Sequence, residues 1–248
     1  MVVKKAKAAG AAAPVKAEKK RASGAATVKP PVQQASDAPP SAEKPARRRP
    51  EPGRKNGRNH WIRIIMDRRT EALAASLQPQ DRDAVEISGD QWESFGFKTY
   101  RSVGYPQFDI CADRATWPGD LAASLSESAD IVLAEQVWEH LVYPYRATQN
   151  VLSILRPGGY FLLSTPFLVR VHHGRNYGDC SRWTEQGMAH FLEECGFRAD
   201  QIKTGSWGNR ACAAAHINEE KWVRFRKGMD LTNEPTFPVQ VWALARKT

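Results

Sequence analysis

Residues 129–141 read ADIVLAEQVWEHL, and residues 155–167 read LRPGGYFLLSTPF. The first begins with an almost unbroken apolar run, the pattern of a strand covered on both faces, and predicts a buried strand over 129–137. In the second, Arg156-Pro157-Gly158-Gly159 predicts a turn, with Pro presetting φ and Gly supplying a positive one. A second buried strand follows over 160–166. Between the two strands, YRATQNVLSIL (145–155) places Ala147, Val151, Ile154 and Leu155 on one helical face. Strand, amphipathic helix and strand in this order make a crossover unit, in which the strands run parallel.

The same alternation continues outward. AVEIS (84–88) predicts the first strand, FKTYRSV (97–103) and FDIC (108–111) two short ones, and QIKTG (201–205) and FPVQVWALARK (237–247) the last two. Trp61, Ile62, Ile65, Met66, Leu73 and Leu77 recur at helical spacing in WIRIIMDRRTEALAASL, which Pro79 ends. Thr184 suits the N-cap of EQGMAHFLEEC, whose Met188, Phe191, Leu192 and Cys195 form a stripe, and Gly196 suits its C-cap. Single helices alternating with strands predict an α/β fold with a doubly wound, mostly parallel sheet.

Charge divides the chain in two. Residues 1–60 carry fifteen Lys and Arg against four Asp and Glu, so their net charge exceeds the +9 of the whole 248-residue chain. Residues 1–57 contain no aromatic residue and are rich in Lys, Ala and Pro, which predicts a disordered tail ahead of a folded domain at 58–248. Such a tail would attract phosphates, so non-specific nucleic acid is a possible partner. The four cysteines, Cys111, Cys180, Cys195 and Cys212, lack the C-x-x-C spacing of a zinc ribbon or redox motif and are expected to be reduced thiols in a cytoplasmic protein. No apolar run reaches the length of a membrane helix, and no secretory signal is recognised.

The succession of strand, Glu139-His140-Leu141, helix, Arg156-Pro157-Gly158-Gly159 and strand resembles the class I S-adenosylmethionine-dependent methyltransferases. DCSRWTEQGMAHFLEECGF (179–197) is similar to the segment that opens the next helix in one large subgroup of that family, so the likeness spans roughly residues 80–248. The resemblance implies a Rossmann-like sheet of seven strands with the last antiparallel, and S-adenosylmethionine as cofactor. It places that cofactor across the carboxyl ends of the first, second and fourth strands, which puts Glu135 and Gln136 at its edge.

In VEISGDQW (85–92), Glu86 matches the acid of the family's glycine-rich motif, while Ser88, Asp90 and Trp92 fall where its glycines belong and Gly89 lies between them. The resemblance thus assigns Glu86, Ser88, Gly89 and Asp90 to the cofactor loop. Only QWESFG intervenes before the second strand, too short for the family's crossover helix. The ribose-binding acid should fall near Gly104 or Tyr105; Asp109 is the nearest carboxylate, and Asp113 in ICADRATWP matches an acid that reads adenine in some relatives.

His140, His172 and His173 follow strand ends where a methyl acceptor would sit, and each can take a proton near neutral pH. His140 and His173 are the candidate general bases. His172, Asp179, Arg182, Trp183, Trp207 and Asn209 are the candidate acceptor-binding residues, since aromatic faces beside Arg suit a sugar, nucleobase or carboxylate. No metal site is expected, because no third ligand accompanies His172-His173 at fixed spacing. The expected activity is methyl transfer to O or N of a small-molecule or glycan-type acceptor. The alternatives are a catalytically inactive scaffold of the same fold and a nucleic-acid-associated methyltransferase tethered by the tail. The sequence does not specify an oligomeric state.

Overall fold

The computed structural model describes residues 59–219 and 221–248. The tail expected to be disordered, and with it the expected nucleic-acid contact, lies outside the described residues. The elements in chain order are α1 (Ile64–Ala75), β1 (Asp83–Ile87), β2 (Thr99–Val103), α2 (Gly119–Leu125), β3 (Ala129–Glu135), α3 (Pro144–Ile154), β4 (Leu155–Pro166), α4 (Glu185–Glu194), β5 (Ile202–Trp207), α5 (Arg210–Asn218) and β6 (Gln240–Arg246). They form one sheet in the order β2-β1-β3-β4-β6-β5. β2, β1, β3 and β4 are parallel, and β6 runs antiparallel to both β4 and β5. This is the expected doubly wound Rossmann-like sheet, with the last strand antiparallel. No helix among the described residues is long and apolar enough to cross a membrane.

Side-chain alternation divides the core between the two faces of the sheet. Val132 and Ala134 of β3 join Phe161, Leu163, Val241 and Ala243 on the face covered by α3 and α4 through Val151, Met188 and Leu192. Ile131 and Leu133 turn the other way and meet Leu162, Leu244, Ala74 of α1 and Trp92. Period-two alternation in strands buried on both sides accounts for the near-continuous apolar runs.

Three local expectations are corrected. The described residues hold six strands, not seven, because FDIC does not pair. Phe108 N–H donates to Gly104 O at 2.9 Å, and Cys111 N–H donates to the Asp109 carboxylate at 2.8 Å, so local turns use the amides that a strand would offer to β2. β2 is therefore the edge strand, and it turns Arg101 and Ser102 to solvent. Arg156–Gly159 is not a free turn but an irregularity inside β4, whose pairing with β3 jumps from Ala129–Leu155 to Ile131–Tyr160. Gly158 takes the positive φ, +78°, that the shift requires. α2 occupies a stretch with no expected element.

β1 and β2 are joined by residues 88–98 without a helix, although parallel neighbours normally need a helical crossover. Aromatic side chains cover the bared face instead. Trp92 is fully buried, with the Phe95 ring 4.7 Å and the Phe97 ring 6.4 Å from its own. Trp92→Ala is expected to destabilise the fold by about 3–5 kcal/mol, as large-to-small changes of aromatic core residues do. Urea unfolding with an unchanged m-value would confirm it, and a loss below about 1 kcal/mol would contradict it.

Candidate functional site

The carboxyl ends of β1, β2 and β3 open on one edge of the sheet. Glu86, buried on the Trp92 side of β1, accepts hydrogen bonds from Gln91 N–H at 3.2 Å, Trp92 N–H at 3.0 Å and Tyr100 O–H at 2.6 Å. Burial, then the Glu86 carboxylate, raises the Tyr100 hydroxyl pKa far above its ordinary range, so this proton stays in place. The loop passes so close over Glu86 that a Cβ at Gly89 would collide with its Oε1. Ser88 is left-handed at φ 59°, and a Cβ on Gly104 would lie 3.0 Å from Ser88 Cα, so the two strand ends nearly touch. Ser88, Gly89, Ser102, Gly104, Tyr105 and Phe108 help line an open groove of about 590 Å³ here.

At the end of β3, Glu135 is buried and turned toward α1. It accepts from Arg63 Nη2 at 3.2 Å and Thr70 Oγ1 at 3.1 Å. Arg63 also pairs with Asp67 at 3.3 Å and reaches Gln91 Oε1 at 3.4 Å, which ties α1 to the ends of both β1 and β3. Gln136 is left-handed at φ 55°, and its amide donates to Gln240 Oε1 at 2.8 Å. Left-handed non-glycine residues directly after two neighbouring parallel strands are the local strain that functional edges accumulate.

Beyond Gln136 lies a smaller cavity of about 120 Å³, bounded by Arg63, Gln136, Glu139, His140, His172, Tyr177 and Trp222 among others. Glu139 is fully buried, and neither carboxylate oxygen has a hydrogen-bond partner. Burial pushes its carboxyl up to about 8. His140 Nδ1 bonds the Gly178 carbonyl at 2.6 Å, which makes Nδ1 the protonated nitrogen and leaves a lone pair on Nε2, 3.5 Å from Glu139 Oε1. The His172 ring stands edge-on to His140 at 5.1 Å and to Trp222 at 5.2 Å. Burial lowers the pKa of both imidazoles, so both are neutral at pH 7.

Asp179 organises this wall. Its carboxylate binds Arg182 through both oxygens, accepts from the His172 amide at 2.7 Å and lies 3.3 Å from His172 Nδ1. Burial works to raise its pKa, but Arg182 and the His172 amide overcome that and hold it below the usual carboxylate range. The Cys180 and Ser181 amides then close on Glu139 O at 2.7 and 3.2 Å, joining the loops after β3 and β4.

A methyltransferase-domain family profile matches residues 51–202. The chain belongs to this methyltransferase family. The methyl donor of the family is S-adenosylmethionine. An uncharacterized methyltransferase of Mycolicibacterium gilvum (strain PYR-GCK) is 26% identical over 127 residues, 48% of this chain and 46% of that one. The chain thus matches about half the length of this curated relative. Among solved structures, a possible histamine N-methyltransferase of Thermotoga maritima is similar at 13% identity over 76% of this chain and 98% of that one, with a TM-score of 0.41. The 1,6-didemethyltoxoflavin-N1-methyltransferase of Burkholderia thailandensis is similar at 12% identity over 73% of this chain and 77% of that one, with a TM-score of 0.44.

The chain places its expected site residues unevenly. Ser88 and Gly89 line the groove; His140, His172 and Gln136 line the cavity, with Asp179 and Arg182 behind His172. Glu86 is turned into its own loop and Glu135 toward α1. Asp90 is exposed and not among the groove-lining residues. Asp109 and Asp113 are engaged with local backbone, Asp113 accepting from Ala115 N–H at 3.0 Å, and neither lines the groove. His173 is exposed and outside the cavity lining.

Three expected acceptor-binding residues have packing roles. Trp183 packs at a tilt against Phe191 with ring centroids 5.2 Å apart, Trp207 donates to Leu231 O at 3.1 Å, and Asn209 caps α5 by accepting from Cys212 N–H at 2.8 Å. Missed from the sequence were Arg63, Glu139, Tyr177 and Trp222, although Glu139 stood in the quoted Glu-His-Leu.

Asp179→Asn is expected to cost about 2 kcal/mol, the scale of a charge-assisted hydrogen bond. Hydrogen exchange should quicken between residues 170 and 183 while α3 and β4 keep their protection. Uniformly faster exchange over the whole domain would contradict the local role.

Proposed function

We propose that this methyltransferase transfers a methyl group from S-adenosylmethionine to an oxygen or nitrogen of a small-molecule or glycan-type acceptor. On this reading the donor lies in the groove at the ends of β1 and β2, and the acceptor in the histidine-lined cavity beyond β3. The observation that carries it is the cavity itself: two neutral imidazoles and a buried carboxylate converge at the strand ends where this family holds its donor.

The groove is open and about 590 Å³ in volume. Gly89 and Gly104 let the loop pack close on Glu86 and Ser88, and the Ser88 and Ser102 hydroxyls and the exposed Tyr105 ring offer polar and stacking contacts. No carboxylate stands among the groove-lining residues, so the ribose would be held by hydroxyls and backbone. The chemistry the bound donor supplies is an electrophilic methyl group, for which alignment of the partners does most of the work.

The chain's own task is then to orient the acceptor and keep water out. His140 Nε2, held in its tautomer by Gly178, is placed to receive the hydrogen of the acceptor's O–H or N–H. His172, locked by Asp179, forms the facing wall, and Tyr177 and Trp222 supply apolar faces suited to a ring-bearing acceptor.

Calorimetric titration of S-adenosylmethionine and S-adenosylhomocysteine into the full chain tests the donor site, and a methyl-labelled donor offered with acceptor panels tests transfer. Gly89→Ala should weaken donor binding roughly tenfold, equivalent to about 1.4 kcal/mol. His140→Ala should leave donor affinity unchanged and lower kcat about 100-fold or more. No donor binding at millimolar concentration would overturn the activity and leave the scaffold reading in its place.

A further inference from the structure

We propose that Glu139, His140 and His172 form a binding site for a divalent transition-metal ion, of the two-histidine, one-carboxylate type. One candidate ligand atom from each residue lies within 4.8 Å of the other two. Two ligands on one tetrahedral ion stand roughly 3.3 Å apart at bond lengths near 2 Å, so small side-chain rotations would close the set.

Second contacts already orient the ligands. His140 gives its Nδ1 proton to Gly178 O, and His172 Nδ1 lies 3.3 Å from the Asp179 carboxylate and 3.4 Å from Arg170 O. In both rings Nε2 therefore keeps the lone pair. A carboxylate or carbonyl behind the imidazole is the usual means of fixing a metal-binding histidine.

Glu139 supplies an independent observation. It is fully buried in the turn after β3, and neither of its oxygens accepts a hydrogen bond. A buried carboxyl with no hydrogen-bond donor at either oxygen is an unsatisfied polar group, which costs the fold, and a bound cation would satisfy it. The two nearby guanidinium groups do not oppose a cation, since Arg182 is neutralised by Asp179 and Arg63 by Asp67 and Glu135. Two imidazoles with one carboxylate favour zinc or ferrous-class ions over magnesium or calcium, which prefer all-oxygen shells.

Three protein ligands leave coordination positions open to the cavity. An acceptor oxygen could occupy one, and the ion would make its O–H more acidic; with metal bound, His140 Nε2 is a ligand and the proton would pass to water instead of to that imidazole. Only this purpose rests on the acceptor reading above; occupancy of the site by metal does not.

The test is titration of chelator-treated full-length protein with Zn²⁺ alone, repeated with Co²⁺ to read the coordination from its visible spectrum and with Mg²⁺ as comparison. One equivalent of Zn²⁺ should bind at micromolar or lower concentration, with Co²⁺ giving a nitrogen–oxygen spectrum free of thiolate bands, and Mg²⁺ should not compete. Glu139→Gln and His172→Asn should each weaken binding on the order of 100-fold. Glu139→Gln keeps the shape and the neutral state of the buried side chain while removing the anionic ligand, so it should fold as the parent does without metal. His190→Asn, on the exposed face of α4, should bind as the parent does.

Wild-type affinity no better than millimolar, or unchanged binding in both ligand variants, would overturn the proposal. Zn²⁺ binding without methyl transfer to any acceptor would support the metal site and count against the activity alone. Methyl transfer by protein that binds no Zn²⁺ or Co²⁺ would do the reverse.

Discussion

Glu86 is the constraint from which the groove edge is built. A carboxylate at the end of a buried strand must find donors, and here it takes two backbone amides of its own loop and the hydroxyl of the neighbouring strand. Those bonds fold residues 89–92 back over β1. The fold-back in turn delivers Trp92 to the sheet face that a crossover helix would have covered. One buried charge therefore sets the path of the loop, substitutes an aromatic cluster for a helix, and leaves the backbone at Gly89 and Gly104 as the groove wall.

A second network extends this edge. Arg63, from the turn before α1, is buried between Asp67 and Glu135 and also reaches Gln91. Buried ion pairs contribute little net stability, because desolvation offsets much of the attraction, but removing one partner strands the other. Their contribution here is one of position. α1 is tied to the loop after β1 and to the end of β3 at the same point, and Arg63, which makes both ties, also lines the histidine cavity.

The parts of the fold readable in the sequence are those governed by periodicity and burial. β3, α3 and β4 stood out because a doubly buried strand and a one-sided helix have different repeats, and Thr184 and Gly196 marked the bounds of α4 because caps have their own chemistry. FDIC failed as a strand because its apolar alternation was outweighed by Asp109 and the turn amides, a competition between local and ladder hydrogen bonds that composition does not display. The site was partly readable for a similar reason. Glu-His-Leu located His140, but His172 and Asp179 meet it only through a loop of irregular backbone. Trp207 and Asn209 carried the residue types of a binding loop, yet their polar atoms are spent on Leu231, Asp230 and Thr232. Residue type shows which hydrogen bonds are available, and only the fold shows which are already used.

That distinction separates the two buried glutamates of this edge. Glu86 stands near the end of a parallel strand and Glu139 in the turn after one, and each is almost without solvent contact. Glu86 is surrounded by donors, so its charge is fully accounted for within the chain, and it acts by shaping the loop. Glu139 has no donor at either oxygen, and its nearest ionisable neighbour is an imidazole that burial keeps neutral. A buried carboxyl with unsatisfied oxygens is costly, and a fold that needed only structure at this position would do better with an apolar side chain. The cost falls at the one cavity where two neutral histidines and a locked Asp-Arg pair converge, and that coincidence makes Glu139 a residue held for a ligand.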